Sequence, residues 1–599
     1  MKSLIYIIVY LFSISYGYAQ KNYIIPEPTN ITIPNSKEIG FRLSKKTSIE
    51  LSGIDNSRSY IKSFIKYVEN ETGFILNTKY NKKTNILFKV QSGINNLGNE
   101  GYKIIILPKQ SLTIEANSEN GLFYGIQTLK QIIHYTKRKR DDDEFTDFDI
   151  AVKTEEYKNF NSKQSINAAN ITTTGYKSIN ETGYFQGLEK TETKKLNVYD
   201  FASVIIEDNP RFGYRGMMLD VSRHFMPLNF IKKFIDIIAM HKMNTFHWHL
   251  SDDQGWRIEI KKYPKLTSIG SKRTETVAGH VLKSPVSLRI WKDVQEYDGI
   301  PHEGYYTQEE IKEVVAYASE RFITIIPEID LPGHTSSLIA AYPEYGSSDK
   351  NIGVKTIWGI QEDIIKPNEN TFNFLKDVFT EIADLFPSQY IHIGGDEANK
   401  KQWIESEEVQ EIMKNLELEN EAQLQSYFIS RMEKILNSLN KKIIGWDEII
   451  QGGLNPNATI MSWRGVEGGI TAAKAGNYAI MTPTSHCYFD YYQRKSSDEP
   501  LAIGGFTPLQ KVYEFEPIPK ELDLNQSSKI LGAQGNLWTE FIKTPEQVEY
   551  MTVPRMTALS EVVWSKRKVR NFKEFKLRLN LYKYFLDLEN INYSPHEFK

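Results

Sequence analysis

The sequence predicts an α/β protein, a (β/α)8 TIM barrel preceded by a small α+β domain. Two observations carry that expectation. From about residue 211 onward, short apolar strands alternate with amphipathic helices for nearly four hundred residues. Acids, arginines and histidines, the residues most costly to bury, collect with tryptophans where those strands end. The length of 599 residues is more than one compact core supports, so two or three domains are expected.

The elements follow in chain order. Lys2, a mostly apolar run over 4–14 and the small-residue site Gly17-Tyr18-Ala19 form a targeting pattern. Residues 1–19 are therefore expected to be a signal peptide, with Gln20 first in the mature chain. The expected location is outside the cytoplasm: periplasm, cell surface or medium. The apolar run is too short to span a bilayer comfortably, and no later stretch offers a transmembrane segment. The N-terminal domain is placed at 20–205. Residues 59–72 read as a helix with Ile61, Phe64, Ile65 and Val68 on one face. Strands are expected at 84–90, 101–107 and 111–116, and a second helix at 120–135 with Leu122, Ile126, Leu129 and Ile133 in one stripe. Near 137–195 the chain turns rich in Asn, Thr, Lys and Glu and loses periodicity, which marks a polar insertion. It opens with the basic run Lys137 to Arg140 and carries Asn-x-Thr sites at Asn170 and Asn180.

The barrel is placed at 206–599. Its strands are expected at 216–221, 245–249, 323–329, 390–393, 443–446, 459–463, 478–481 and 530–535. Helices at 228–242, 307–320, 372–386 and 421–439 fit between them. A doubly wound open sheet is the alternative, but no glycine-rich dinucleotide fingerprint follows the first strand.

The net charge of −2 gives no sign of a nucleic-acid or membrane-surface partner. The single Cys487 excludes an intramolecular disulfide and any metal site built on a cysteine cluster. In a barrel of this kind chemistry sits at the strand ends. Those ends hold Arg215, Asp220, Arg223 and His224; then His247 to Asp253 and Arg257; then Glu328, Asp330 and His334; then Asp396 and Glu397. The fifth to eighth strands contribute Trp446, Asp447 and Glu448; Trp463 and Arg464; Tyr488 and Asp490; and Trp538 and Glu540. Carboxylates and arginines bond hydroxyls, and an indole face packs on the apolar face of a pyranose, so the set describes a carbohydrate pocket. His247 and His249, two apart on one strand, point to the same face and offer a competing divalent-metal site, with His334 and His392 as further ligands. A hydrogen-bonded network that positions the neighbouring acids is the simpler reading.

The most informative run is His392-Ile-Gly-Gly-Asp-Glu397. Adjacent carboxylates repel, and one that is partly desolvated has a raised pKa, as a general acid near neutral pH requires. Neighbours in sequence are poorly placed to flank one sugar from opposite faces, so a division of labour on one side fits them better.

With these motifs assembled, the chain resembles the family 20 glycoside hydrolases, the β-N-acetylhexosaminidases. The resemblance rests on Arg215-Gly-Met-Met-Leu-Asp220-Val-Ser-Arg-His-Phe, His247-Trp-His-Leu-Ser-Asp-Asp-Gln-Gly-Trp-Arg257, Pro327-Glu-Ile-Asp-Leu-Pro-Gly-His334 and His392-Ile-Gly-Gly-Asp-Glu397. Gly445-Trp-Asp-Glu448, Ser462-Trp-Arg464, Tyr488-Phe-Asp490 and Trp538-Thr-Glu540 follow in the family's order. The insertion near 137–195 departs from the family's usual link. The resemblance implies exo-acting release of terminal β-linked N-acetylglucosamine or N-acetylgalactosamine from oligosaccharides or glycoconjugates. It implies a retaining, substrate-assisted route with no cofactor or metal. Glu397 would be the general acid, and Asp396 would hold the acetamido N–H. Arg215 resembles the arginine on the sugar's 3- and 4-hydroxyls, and Glu540 its partner. Trp446, Trp463 and Trp538 resemble the acetamido-pocket walls, with Tyr488 on the acetamido oxygen and Asp490 on the 6-hydroxyl. Asp330, His334, His392, Asp220 and His247 would support them from behind. Lacto-N-biosidase and chitobiase are the alternatives within the family; a non-catalytic sugar-binding barrel and a metal-dependent hydrolase are those outside it.

Overall fold

The computed structural model describes residues 23–34, 38–78, 85–94, 97–141, 198–279 and 296–598. The expected signal peptide and most of the 137–195 insertion, with Asn170 and Asn180, lie outside the described residues.

The N-terminal domain is a six-stranded mixed sheet. In spatial order its strands are Asn30–Thr32, Val204–Asp208, Tyr102–Ile106, Leu112–Ala116, Asn85–Val90 and Ser48–Ser52. Two helices, Ser59–Thr72 and Glu119–Asp141, pack beside it. Ile61, Phe64 and Val68 face the core while Ile65 packs at its edge, as the 3.6-residue period demands. The second helix continues past the expected end at Tyr135, because the Lys and Arg residues that follow are good helix formers with no breaker among them. The expected domain boundary at 205/206 is corrected by the strand Val204–Asp208, which it would cut. Ile206 and Asp208 lie buried on one face of that strand with the period of two of a sheet, so the domain ends after Asp208.

Eight parallel strands close the barrel: Tyr214–Asp220, Thr245–His249, Thr324–Glu328, Tyr390–His392, Lys442–Trp446, Thr459–Ser462, Ala479–Met481 and Ile530–Gly535, the last pairing with the first. Each expected strand is present to within two residues. The expected helices appear as Leu228–Met240, Gln308–Ser319, Glu369–Leu385 and Glu421–Ser438. The third starts earlier than 372 because Asn368 caps it, accepting the Thr371 N–H at 3.0 Å. Register places four polar residues in one row at the C-terminal end: His249 lies opposite both Asp220 and Glu328, and Glu328 opposite His392.

The two domains are joined at the other end of the barrel through buried charge. The Arg215 guanidinium, fully buried, makes a bidentate pair with Glu100 at 2.8 and 2.9 Å and donates to the carbonyls of Phe212 and Lys242. Beside it Lys242 Nζ donates to the Tyr102 hydroxyl at 2.7 Å and lies 3.3 Å from Asp208, which also accepts from Trp564 Nε1 at 2.9 Å. Burial pulls the Lys242 ammonium down to about 8 against the attraction of Asp208. Removing one partner of such a pair leaves a buried charge uncompensated. Glu100→Gln is therefore expected to cost about 3–5 kcal/mol. The double change Glu100→Gln with Arg215→Met should recover part of it, read as the shift of the urea midpoint.

Candidate active site

The site begins with the turn after the fourth strand. Gly394 and Gly395 adopt φ of +69° and +98°. A Cβ on Gly394 would stand 1.7 Å from Asp330 Oδ1, and one on Gly395 would stand 2.3 Å from Ile449 Cγ2. Only glycine fits both the conformation and the space. Trp446 N–H donates to the Gly394 carbonyl at 2.8 Å and Gln425 Nε2 to that of Gly395 at 2.7 Å, which pins the turn. Glu397 follows at φ +46°, a left-handed conformation that costs a non-glycine residue about 1 kcal/mol or more and persists where packing enforces it.

The turn delivers Asp396 and Glu397 to one imidazole. His334 Nε2 lies 3.7 Å from Asp396 Oδ2 and 3.5 Å from Glu397 Oε2. Its Nδ1 lies 3.2 Å from Asp252 Oδ1 and 3.2 Å from Asp253 Oδ2. Burial opposes a charge on His334, but Asp252, Asp253 and Glu397 outweigh it and hold the imidazole well above the ordinary histidine range. Burial pushes Asp396 up to about 6; the His334 charge pulls it down, while Glu328 and Glu397 push the same way as burial. Asp330, buried and beside Asp396, is driven well above the carboxylate range and accepts the Gly395 N–H at 3.3 Å. Asp396 is buried, whereas the Glu397 side chain keeps 32% of its surface exposed.

Beneath them lies Glu328, with no exposed surface. His249 Nδ1 stands 2.6 Å from its Oε2 and His247 Nε2 2.9 Å from the same oxygen; His392 Nδ1 stands 2.8 Å from Oε1, to which Trp446 Nε1 donates at 2.9 Å. Burial would raise this carboxyl, but the imidazoles hold it well below its ordinary value. His249 reaches on to Asp252 at 2.9 Å; against burial, Glu328 and Asp252 raise it to about 10. His247 is pulled down to about 4 by burial and accepts from Gln534 Nε2.

The side wall is aromatic. Trp446 and Trp538 lie 5.9 Å apart between ring centres, and Trp463 stacks on Tyr488 at 6.1 Å. Trp463 Nε1 donates to Glu448 Oε2 at 2.8 Å, and burial with the neighbouring Asp490 charge holds the Tyr488 hydroxyl well above the ordinary phenol range. Arg223 lies over Trp538 at 5.0 Å, pairs with Asp252 at 2.8 Å and donates to Gln254 at 3.0 Å. Asp220 positions it, accepting the N–H groups of Ser222 and Arg223 with one oxygen and Thr539 with the other. Burial pushes Asp490 and Glu540 above the ordinary carboxylate range; the Glu540 charge adds to it at Asp490, and at Glu540 Arg223 opposes it while Asp220 and Asp252 add to it. Several buried polar atoms here, among them Arg223 Nη1, Asp396 Oδ1, Asp490 Oδ1 and Glu540 Oε2, have no hydrogen-bond partner among the described residues. Buried polar groups are almost always paired, so a cluster of spare donors and acceptors beside indole faces is suited to a ligand rich in hydroxyl and amide groups.

The structure gathers every expected site residue but one. Arg215 lies at the N-terminal end of the first strand, enclosed by Glu100, Phe212 and Lys242, so its expected role on sugar hydroxyls is corrected. Arg223 occupies the strand-end position instead. Strand direction was the available signal, since Arg215 opens the strand and Arg223 follows its last residue. Glu328, Asp252, Asp253 and Glu448 also enter without an expected role. Their signal was position: each is a carboxylate at or just after a strand end.

A family model described as the glycosyl hydrolase family 20 catalytic domain matches residues 212–567, and one described as domain 2 of the same family matches 21–151. The chain is 46% identical over 392 residues to a beta-hexosaminidase of Porphyromonas gingivalis, covering 65% of this chain and 48% of that one. It is 40% identical over 364 residues to a beta-hexosaminidase of Vibrio furnissii, covering 60% of this chain and 57% of that one. It thus spans about half the length of these curated relatives. Two solved structures superpose over 95% of the chain at 28% identity. They are a chitobiase of Flavobacterium johnsoniae, at a TM-score of 0.70 and 73% of that chain, and an exo beta-N-acetylglucosaminidase of Vibrio harveyi in complex with N-acetylglucosamine, at 0.71 and 78%. With its catalytic-domain model spanning the whole barrel, the chain belongs to glycosyl hydrolase family 20.

Proposed function

We propose that the protein releases terminal, non-reducing β-linked N-acetylglucosamine or N-acetylgalactosamine from oligosaccharides or glycoconjugates, with retention and with the substrate's acetamido group as nucleophile. One observation carries the mechanism: Asp396 and Glu397 both approach His334 Nε2, at 3.7 and 3.5 Å, and so work from one side of the site. An acid and an enzymic nucleophile must flank the sugar from opposite faces. With both carboxylates on one side, the substrate supplies the nucleophile. Glu397, the more exposed, gives its proton to the leaving oxygen as the C1–O bond breaks. The acetamido oxygen bonds C1 and closes an oxazolinium ring, while Asp396 accepts the acetamido N–H and balances the positive charge. Water then attacks C1 and gives a proton to the Glu397 carboxylate, and the ring opens to the free sugar. Two inversions at C1 give retention.

Arg223, Asp490 and Glu540 offer their spare hydrogen-bonding capacity to the sugar hydroxyls. Trp446, Trp463 and Trp538 enclose the acetamido group, and Tyr488 donates to its oxygen. Chitobiase specificity is a second reading, drawn from the fold-wide likeness to the Flavobacterium johnsoniae protein. Export rests on the pattern of Lys2, the apolar run and Gly17-Tyr18-Ala19.

The metal-dependent alternative draws on His247, Glu328 and His392, whose donor atoms lie within 4.8 Å of one another. Glu328 already stands against three imidazoles and accepts from the Trp446 indole, and Gln534 engages the other nitrogen of His247, so both Glu328 oxygens are engaged within the protein. An assay on p-nitrophenyl β-N-acetylglucosaminide separates the readings. Hydrolysis unchanged by EDTA is expected, with the plain β-glucoside inert; loss on chelation would restore the metal, and no turnover would leave a binding protein. Glu397→Gln is expected to lower turnover of disaccharides about 10²–10⁴-fold and of aryl glycosides far less, because only the poor leaving group needs the proton. Equal loss on both would remove the acid role. Asp396 must be ionised to balance the oxazolinium, so kcat/KM should fall as pH drops through about 6, the value burial gives it. His334→Gln removes the charge that pulls Asp396 down and should move this limb to higher pH, and Asp396→Asn should abolish it. A limb unmoved in both variants would assign it to another group.

A further inference from the structure

Trp446 and Trp463 are both tethered through their indole N–H groups, but not in the same way. Trp446 is buried, and its acceptor Glu328 also serves three imidazoles. Trp463 is half-buried, and its Nε1 donates at 2.8 Å to a buried carboxyl, Glu448 Oε2, that takes no other side-chain hydrogen bond among the described residues. Glu448 stands in the short turn Asp447–Ile450 that follows the fifth strand. Its neighbour Asp447 takes Arg464 Nε at 2.7 Å, against 3.6 Å from Glu448 Oε1, so the cation is drawn to Asp447 and the Glu448 carboxyl serves the indole. The opposite constraint on Trp463 is its stacking on Tyr488. Resting on the acetamido pocket proposed above, we infer that Glu448 is a positioning residue that fixes the orientation of Trp463 and thereby limits the size of the N-acyl group the pocket accepts. Burial, with Asp396 and Asp447 adding to it and the Trp463 bond and Arg464 opposing, pushes the Glu448 carboxyl up to about 8; the remaining charged neighbour is Lys400. At neutral pH the carboxyl is then largely uncharged, and an amide is its close mimic.

The test compares aryl β-glycosides of N-acetyl- and N-butanoylglucosamine at pH 7 on the full chain. Glu448→Leu keeps the volume and removes the acceptor, leaving the indole N–H unpaired. It is expected to raise KM for the N-acetyl substrate about tenfold with a smaller change in kcat, and to narrow the acetyl-to-butanoyl ratio of kcat/KM by a similar factor. Glu448→Gln, which restores an acceptor, is expected to rescue both. Trp463→Phe, which lacks the N–H, should widen the acyl range on its own, and adding Glu448→Leu to it should bring no further loss; this arm decides if the single Leu variant folds poorly. An unchanged KM and ratio in Glu448→Leu, equal loss in the Leu and Gln variants, or full additivity with Trp463→Phe would each overturn the inference. A wild-type chain inert on the N-acetyl substrate would overturn the acetamido reading beneath it.

Discussion

Glu328 is the group on which the rest of the site depends. It carries negative charge with no exposed surface, and an unpaired carboxylate in that position would cost several kcal/mol. His247, His249, His392 and Trp446 converge on it from the second, fourth and fifth strands. Meeting that one demand fixes the relative height of four neighbouring strands. It also fixes what stands above them. His249 passes from Glu328 to Asp252, and Asp252 holds both Arg223 and His334. The acid turn is then located by His334 and by Trp446, whose backbone N–H takes the Gly394 carbonyl. A barrel strand end thus becomes a rigid platform through a chain of charge-assisted bonds, each member of which needs the next to remain buried.

Most of the architecture was legible because it rests on periodicity. Eight apolar strands with intervening amphipathic helices leave few alternatives, and each strand lies where its pattern places it. The double glycine before Asp396 was legible too, since a turn after a strand accounts for it; the steric reason, Asp330 and Ile449 against the two missing side chains, needed coordinates. Arg215 against Arg223 shows where motif reading fails. Both sit in one motif, eight residues apart by their numbers, and only the direction of the strand separates a residue that bonds the N-terminal domain from one that faces the pocket. The domain boundary failed for a related reason. Residues 204–208 belong to the first sheet through pairing with residues 102–106, a contact across about a hundred residues that local pattern does not report. Glu448 was hidden because its role is defined by Trp463, on the next strand.

Arg215 and Glu100 give the N-terminal domain a physical purpose. The barrel's lower end presents a guanidinium and an ammonium, Arg215 and Lys242, whose carboxylate ion-pair partners among the described residues, Glu100 and Asp208, lie on that domain. Tyr60 and Phe123 add ring contacts to Phe322, and Tyr124 to Trp564. The domain therefore completes the barrel's core and lies at the end opposite the acids.

The electrostatics of the upper end favour a cationic intermediate over a cationic substrate. Asp330 and Asp396 share burial and the same neighbours, yet they differ. Asp330 is driven well above the carboxylate range, with Asp396 among the causes, while Asp396 stops at about 6 with His334 as the strongest opposing influence. The neutral form is thus favoured more strongly at Asp330 than at Asp396, the carboxylate proposed to face the sugar. The fixed cations, His334, His249 and Arg223, each lie against Asp252, which offsets part of their positive field beside Asp396, where the proposed oxazolinium would form. Asp396, buried, with one oxygen near His334 and the other without a hydrogen-bond partner among the described residues, would then be a counter-ion in place before the proposed positive charge develops. Such preorganisation acts most strongly where water is excluded, and the enclosing tryptophans supply that condition.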